Sequence, residues 1–143
     1  MAGLILADIH NALADQIRAG VDRQTNVSAF PDGSTVYPCV TVHSDPGGYL
    51  NPFSTVGFGG TADISVRLKI EVDAGDVESG CIKIADYLSM GAGNGSSVLD
   101  AVLADETLGG LVEEMNVTAI EWDTEADPFV AWIPLQLIVK KVV

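Results

Sequence analysis

The sequence predicts an α+β domain, in which an antiparallel sheet of about four strands carries helices packed on one face. Three observations lead to this fold class. The chain opens with the apolar stripe of an amphipathic helix, its middle holds a strand of unbroken alternation, and its last strand is apolar on both faces. Helices and strands follow one another in separate blocks. A chain of 143 residues suits a single domain, residues 1–143, with one core.

The first helix is indicated by apolar residues at helical spacing, Ile5, Ile9, Leu13 and Ile17. Residues 36–43 then predict a strand because they are rich in β-branched side chains. Pro38 inside this strand has no amide hydrogen to donate to a neighbouring strand, so it favours an edge strand or a bulge. We expect its pairing partner within residues 25–30.

Residues 61–73, TADISVRLKIEVD, alternate strictly between apolar and polar side chains. This pattern predicts a long strand with one face in the core and one face in water. At about 3.4 Å per residue the strand would run for roughly 40 Å, about twice the usual length. We therefore expect part of it to protrude from the domain or to pair outside it.

Two helices, residues 76–90 and 98–105, and two strands, residues 111–122 and 129–140, complete the predicted elements. In the first of these strands the apolar residues Met115, Val117 and Ala119 alternate on one face. The next apolar residues, Ile120 and Trp122, fall on the other face, which indicates a bulge near Ala119. The last strand is apolar on both faces, so it needs cover on both. Helices can cover one face, and we expect a neighbouring subunit to cover the other.

The stretch GAGNGSS, residues 91–97, resembles a phosphate-binding loop at first sight. Such a loop follows a strand, whereas the preceding pattern is helical, and no Lys-Ser or Lys-Thr pair follows the last glycine. The alternative is a connection in which Gly91 ends one helix and Ser97, with Asp100 three residues on, caps the next. We favour the connection.

The glycine-rich segment 44–60, SDPGGYLNPFSTVGFGG, predicts a long loop, and it carries more large apolar residues than a solvated loop should expose. These residues are Tyr49, Leu50, Phe53, Val56 and Phe58. A partner surface that receives them is one explanation. The other is that the segment folds back over its own core or forms a hairpin.

Charge and composition exclude several classes of function. Twenty acidic against seven basic residues give a net charge of -13, which repels DNA, RNA and anionic lipid. The N-terminal MAGLILADIH lacks the positive region of a secretory signal, and the uncharged stretch 128–139 is shorter than the roughly 20 residues that a membrane span needs. Cys39 and Cys81 are too few for a disulfide framework, so we expect free thiols in a reducing cytoplasm.

The sequence offers no convincing active site. The adjacent residues His43, Ser44 and Asp45 cannot converge as a catalytic triad, and neither His43 nor His10 has a second ligand at metal spacing, so we expect both histidines to be plain surface or edge residues. The acidic run 123–127 lacks the glycine of a calcium loop and predicts a solvated turn. We predict no catalytic, cofactor-binding or metal-binding residues and no enzymatic activity.

Taken together, these segments resemble the tail terminator and tail-completion (head–tail joining) proteins of long-tailed phages that infect actinobacteria. The resemblance spans nearly the whole chain and rests on the segments LADIHNALADQI, YPCVTVH, GGTADISVRLKIEVDAGD, SVLDAVLADETLGG and AWIPLQLIVKK. It rests on the order of the helices and strands and on their patterns of apolar and polar residues. The related head–tail connector and neck proteins share these patterns and are the alternative.

The resemblance implies a structural virion protein of the phage tail, present in the host cytoplasm during assembly. It implies a ring, a hexamer of this chain, that ends tail polymerisation at the head-proximal end and offers the head its attachment surface. The implied partners are the tail-tube protein and the head–tail connector proteins, while DNA passes through the acidic ring without specific binding. We predict the following interface residues: Tyr49, Leu50, Phe53, Val56, Phe58, Arg67, Lys69 and Trp132. A small enzyme or ligand-binding module with a pocket near residues 91–97 is the alternative from a different class.

Overall fold

The structure is a computed structural model that describes residues 6–21, 25–30, 36–44, 53–56, 62–73, 75–89, 97–105, 107–123 and 129–139. Within these residues the chain forms three helices and seven strands. The helices are α1 (Leu6–Gly20), α2 (Val77–Tyr87) and α3 (Val98–Leu103). The strands are β1 (Asn26–Ser28), β2 (Cys39–Ser44), β3 (Phe53–Val56), β4 (Ala62–Val72), β5 (Glu114–Val117), β6 (Glu121–Asp123) and β7 (Phe129–Val139).

All seven strands belong to one sheet with the order β1-β2-β4-β7-β5, to which β3 adds on β4 and β6 adds on β7. The predicted α+β class is confirmed, but the prediction of a purely antiparallel sheet of about four strands is wrong. β1 pairs in parallel with β2, and the other pairs are antiparallel. β1 lies within the segment predicted to pair with β2, and the pairing is parallel.

At two places in the sheet, two short strands lie end to end along one long strand, so the sheet has more strands than predicted. β2 and β3 follow one another along the same side of β4, because Ser44 lies opposite Val66 and Phe53 lies opposite Ile64. β5 and β6 do the same along β7. There, residues 118–120 pass opposite residues 133 and 134 alone, so one extra residue is accommodated. The bulge predicted near Ala119 is confirmed.

β4 is the centre of the sheet and does not extend beyond it. It pairs with β7 over its entire length, from Ala62 opposite Val139 to Val72 opposite Phe129. Its other side pairs with β2 and β3. The expectation that part of this strand protrudes or pairs outside the domain is therefore wrong, because β7 is equally long and matches it residue for residue.

One hydrophobic cluster joins the helices to one face of the sheet. The predicted helix stripe and the predicted strand alternation are both confirmed by burial, since α1 and β4 bury their apolar positions almost completely. Because buried residues of all three described helices belong to this cluster, those helices lie on the same side of the sheet. The largest fully buried side chains include Ile9, Leu13, Ile17, Ile64, Leu68, Ile70, Ile84, Ile133, Leu135 and Leu137.

The prediction that His10 is a plain surface residue is wrong, because its side chain is only 1% exposed. His10 lies one helical turn before Leu13 and Ala14, which are also buried, so it extends the apolar stripe of α1. Its Nδ1 lies 2.8 Å from the carbonyl oxygen of Ala29, just after β1. A hydrogen bond to the chain beyond β1 thus makes burial of this polar ring possible.

Local polar contacts fix the helix ends. The Asp76 side chain accepts a hydrogen bond from the Ser79 amide at 2.8 Å at the start of α2, and the Ser97 hydroxyl accepts one from the Asp100 amide at 3.0 Å at the start of α3. The predicted N-cap at Ser97 is confirmed, while the cap predicted at Gly91 lies outside the described residues. None of the described helices has the length and apolar character needed to cross a membrane.

The end of α1 packs tightly on α3, and Gly20 marks the closest approach. A Cβ at this position would lie 2.5 Å from the Cβ and 2.9 Å from the Cα of Ala101, and alanine has no rotamer that could relieve the clash. We expect Gly20→Ala to lower the free energy of unfolding by about 1–3 kcal/mol in urea denaturation. The neighbouring Ala19→Ser, at an exposed position, should change it by no more than about 0.5 kcal/mol. Equal stability of the two variants would contradict the close approach of the helices.

Candidate functional site

The candidate site is the face of the sheet that points away from the core. Because side chains alternate along a strand, the residues between the buried positions of β2, β4 and β7 project to this second face. All of them are partly exposed, and the described helices lie on the opposite side. We call this surface the open face; it comprises Cys39, Thr41, His43, Ser65, Arg67, Lys69, Glu71, Val130, Trp132, Pro134, Gln136 and Ile138.

Two cations and a histidine surround Trp132 on the open face. The guanidinium carbon of Arg67 lies 4.0 Å from the centroid of the indole ring, and the Lys69 amine lies 5.4 Å from it. The His43 ring meets the indole edge-on, with 5.4 Å between the ring centroids. Strand register produces this arrangement, because Lys69 lies directly opposite Trp132 and Arg67 lies opposite His43. We call these four residues the Trp132 cluster.

The two cations of the cluster differ in their acidic partners. The Lys69 amine lies 3.7 Å from a carboxylate oxygen of Glu71. Arg67 forms no ion pair within the part of the chain that the structure describes. Its Nε is buried and has no hydrogen-bond partner among those residues. Leaving a buried donor unsatisfied costs about 1–3 kcal/mol, and the stacking of Arg67 on the indole offsets only part of that.

His43 contributes no charge to the cluster at neutral pH. Partial burial lowers the pKa of the His43 imidazole, and the positive charges of Lys69 and Arg67 lower it further. The ordinary value of 6.5 already lies below neutrality, so the ring is uncharged at pH 7. The positive charge on this part of the open face therefore comes from Arg67 and Lys69.

An acidic and apolar margin borders the open face along β6. Glu121 lies opposite Trp132 in the sheet and is exposed, and Asp123 follows on the same face. The neighbouring Ile120 and Trp122 are 38% and 53% exposed, which is unusual for such large apolar side chains. We call the segment formed by Ile120, Glu121, Trp122 and Asp123 the acidic edge. Basic and acidic surfaces thus lie on opposite sides of β7.

The structure brings together three of the predicted interface residues, Arg67, Lys69 and Trp132, in the Trp132 cluster. Their role at an interface stays a prediction. Phe53 and Val56 lie on β3, which pairs antiparallel with β4, so residues 53–56 follow the hairpin alternative rather than the long loop. Tyr49, Leu50 and Phe58 lie outside the described residues.

Sequence reasoning missed two parts of the site. The place of His43 beside Trp132 depends on register between strands, for which the sequence has no local signal. The acidic edge did have a signal, since Ile120 and Trp122 were both seen to change phase at the bulge, and residues at a bulge on a sheet edge are often exposed.

The remaining candidate sites carry no chemistry in the described part of the chain. No group of three or more potential metal-ligating side chains occurs there. Cys39 on β2 and Cys81 on α2 are not joined in a disulfide. The glycine stretch at residues 91–96 and the acidic turn at residues 124–128 lie outside the residues that the structure describes.

Comparison with known proteins identifies no relative: no protein-family model matches the chain, and no curated protein matches it.

Proposed function

We propose that this chain is a structural virion protein that forms a ring at the head-proximal end of a phage tail tube. The ring ends tube growth and provides the surface to which the head attaches. The proposal starts from the resemblance of the sequence to tail terminator and tail-completion proteins. The open face is the observation that carries it, because a subunit of a ring needs a surface for a neighbour.

The residue types of the open face support an interface. Tryptophan and arginine are the residues most enriched at positions that dominate binding energy, and here Arg67 lies directly over Trp132. Val130, Pro134 and Ile138 add apolar surface beside them on β7, and all three are partly exposed. A mixed apolar and cationic patch of this kind suits a protein partner, because docking removes its apolar surface from water.

The net charge supports the proposed place of the ring in the virion. A ring of subunits that each carry a formal charge of -13 repels the DNA phosphates. DNA can then pass through the opening without being held. We assign the positive charge of Arg67 and Lys69 to contacts between subunits.

Tail-tube assembly tests the proposal. Purified tail-tube protein encoded with this chain is polymerised with and without the chain, and tube lengths are measured by negative-stain electron microscopy. We expect added wild-type chain to shorten the tubes and to leave a ring at one end. Trp132→Ala should lose this effect, while Lys83→Glu, on the exposed surface of α2, should retain it.

Two outcomes would overturn the terminator role. Tubes of unchanged length, with the chain bound instead to isolated heads, would identify a connector. Tubes of unchanged length without binding to either structure would remove the tail function altogether.

A further inference from the structure

We infer that the Trp132 cluster of one subunit receives the acidic edge of a second copy of this chain. The inference rests on the proposed ring and names the surfaces that would join its subunits. It commits to a second copy because the chain itself carries both complementary surfaces.

The receiving surface is Arg67 together with Trp132 and Lys69. In a chain with 20 acidic and only 7 basic residues, a half-buried arginine without a carboxylate among the described residues is unexpected. The guanidinium carbon lies over the indole, 4.0 Å from the ring centroid, so the cation is already positioned on the open face before any partner arrives. A planar guanidinium in a fixed position suits a carboxylate, which it can bind through two parallel hydrogen bonds.

The inserted surface is the acidic edge, and its chemistry complements the receiving surface. It offers the exposed carboxylate of Glu121, which lies on the same face of the sheet as the Trp132 cluster, while the exposed Trp122 projects to the other face. The receiving surface offers cations beside the indole of Trp132 and the apolar atoms of Pro134. The acidic edge also belongs to the outermost line of the described sheet, so it can reach a neighbour without displacing another strand.

Within one subunit Glu121 lies directly opposite Trp132, and Arg67 lies one strand further away, on β4. Two inter-strand spacings, about 10 Å, separate the strands that carry Arg67 and Glu121, and among the described residues Arg67 forms no ion pair with a carboxylate. A contact between two different surfaces of identical subunits is reciprocal in a two-fold dimer and head-to-tail in a ring. Head-to-tail contacts propagate from subunit to subunit and close into a ring when the rotation between neighbours allows it. The proposed ring uses the head-to-tail form.

Charge exchange between the two surfaces tests the inference. Arg67→Glu and Glu121→Arg each place like charges at every contact, so each should weaken self-association of the full chain by at least about tenfold. The double variant, Arg67→Glu with Glu121→Arg, restores opposite charges and should return to within about threefold of wild type. An equimolar mixture of the two single variants should also assemble, because every contact in an alternating ring is then complementary. Light scattering coupled to size exclusion over a concentration series measures the mass of each sample.

Lys83→Glu and Asp86→Arg on α2 are the matched controls, since they change the net charge equally at exposed positions outside both surfaces. We expect both controls to associate as wild type does. Glu121→Arg keeps the test independent of folding, because Glu121 is exposed while Arg67 is half-buried.

The outcomes separate this inference from the proposed function. The docking surfaces are overturned if both single variants associate as well as wild type. They are also overturned if neither the double variant nor the mixture assembles. In either case the tube assay still decides the tail function. A wild-type chain that stays at 15.0 kDa at every concentration overturns self-docking as well. A ring that depends on this charge pair but leaves tube growth unchanged supports the inference and overturns the tail function.

Discussion

Replacing Leu68 with alanine should lower the free energy of unfolding by about 3–5 kcal/mol, the range that large-to-small substitutions reach at fully buried sites. Leu68 is 0% exposed on the central strand β4. It lies opposite Val42 on β2 and Ile133 on β7, and both neighbours are equally buried. Neighbours held by strand pairing on both sides cannot collapse into the space left by the lost atoms. The loss is a large part of the roughly 5–15 kcal/mol by which domains are stable.

Urea denaturation measures this loss, and Ile82→Ala on α2 is the matched control. Ile82 is 56% exposed, so removing its side chain should change stability by no more than about 0.5 kcal/mol. Comparable costs for the two substitutions would contradict the placement of β4 between β2 and β7 under the helices.

The sequence predicted the core well because burial there follows a simple period. Alternation along residues 62–72 identifies which side chains of β4 enter the core, and helical spacing does the same for α1. What such periods cannot predict is the direction in which two strands pair. The short strand β1 has no pattern that distinguishes parallel from antiparallel pairing with β2, although the pairing is parallel.

The candidate site was predictable only in part, for a related reason. Alternation places Arg67 and Lys69 on the face away from the core, but β7 is apolar on both faces, so its pattern does not decide on which face Trp132 lies. Their meeting depends on register, which sets Lys69 opposite Trp132 across strands far apart in sequence. A shift of one residue would put Trp132 on the buried face. The site therefore depends on the register between β4 and β7 as much as on the identity of its residues.

His10 combines burial with a hydrogen bond that determines its tautomer. A carbonyl oxygen can only accept, so Nδ1 carries the hydrogen that is donated to Ala29 at 2.8 Å. The neutral ring then has no hydrogen on Nε2, which is buried without a partner in the described part of the chain. Phe30 stacks on the ring with the two centroids 4.5 Å apart. Protonation would place a charged, unpaired N–H at Nε2.

Desolvation by burial lowers the pKa of His10 below its ordinary value of 6.5, although the hydrogen bond to Ala29 raises it slightly in return. The unfolded chain therefore binds a proton more readily than the folded chain does. His10 therefore contributes fully to the free energy of unfolding above pH 6.5. This contribution is lost as the pH falls from 6.5 towards the lower pKa that His10 has in the folded chain. His43, whose pKa is also lowered, acts in the same direction.

We expect His10→Ala to lower the free energy of unfolding by about 3 kcal/mol at pH 7.5, because it removes a buried ring and one hydrogen bond. The difference from wild type should shrink between pH 6.5 and 5.5, since only the wild-type chain loses stability through this imidazole. Urea denaturation at three pH values measures both effects. His43→Ala, at a half-exposed position, should cost less at pH 7.5 and provides the control. A difference between His10→Ala and wild type that stays constant over this range would show that the folded chain accommodates the protonated ring, and would contradict an unsatisfied Nε2.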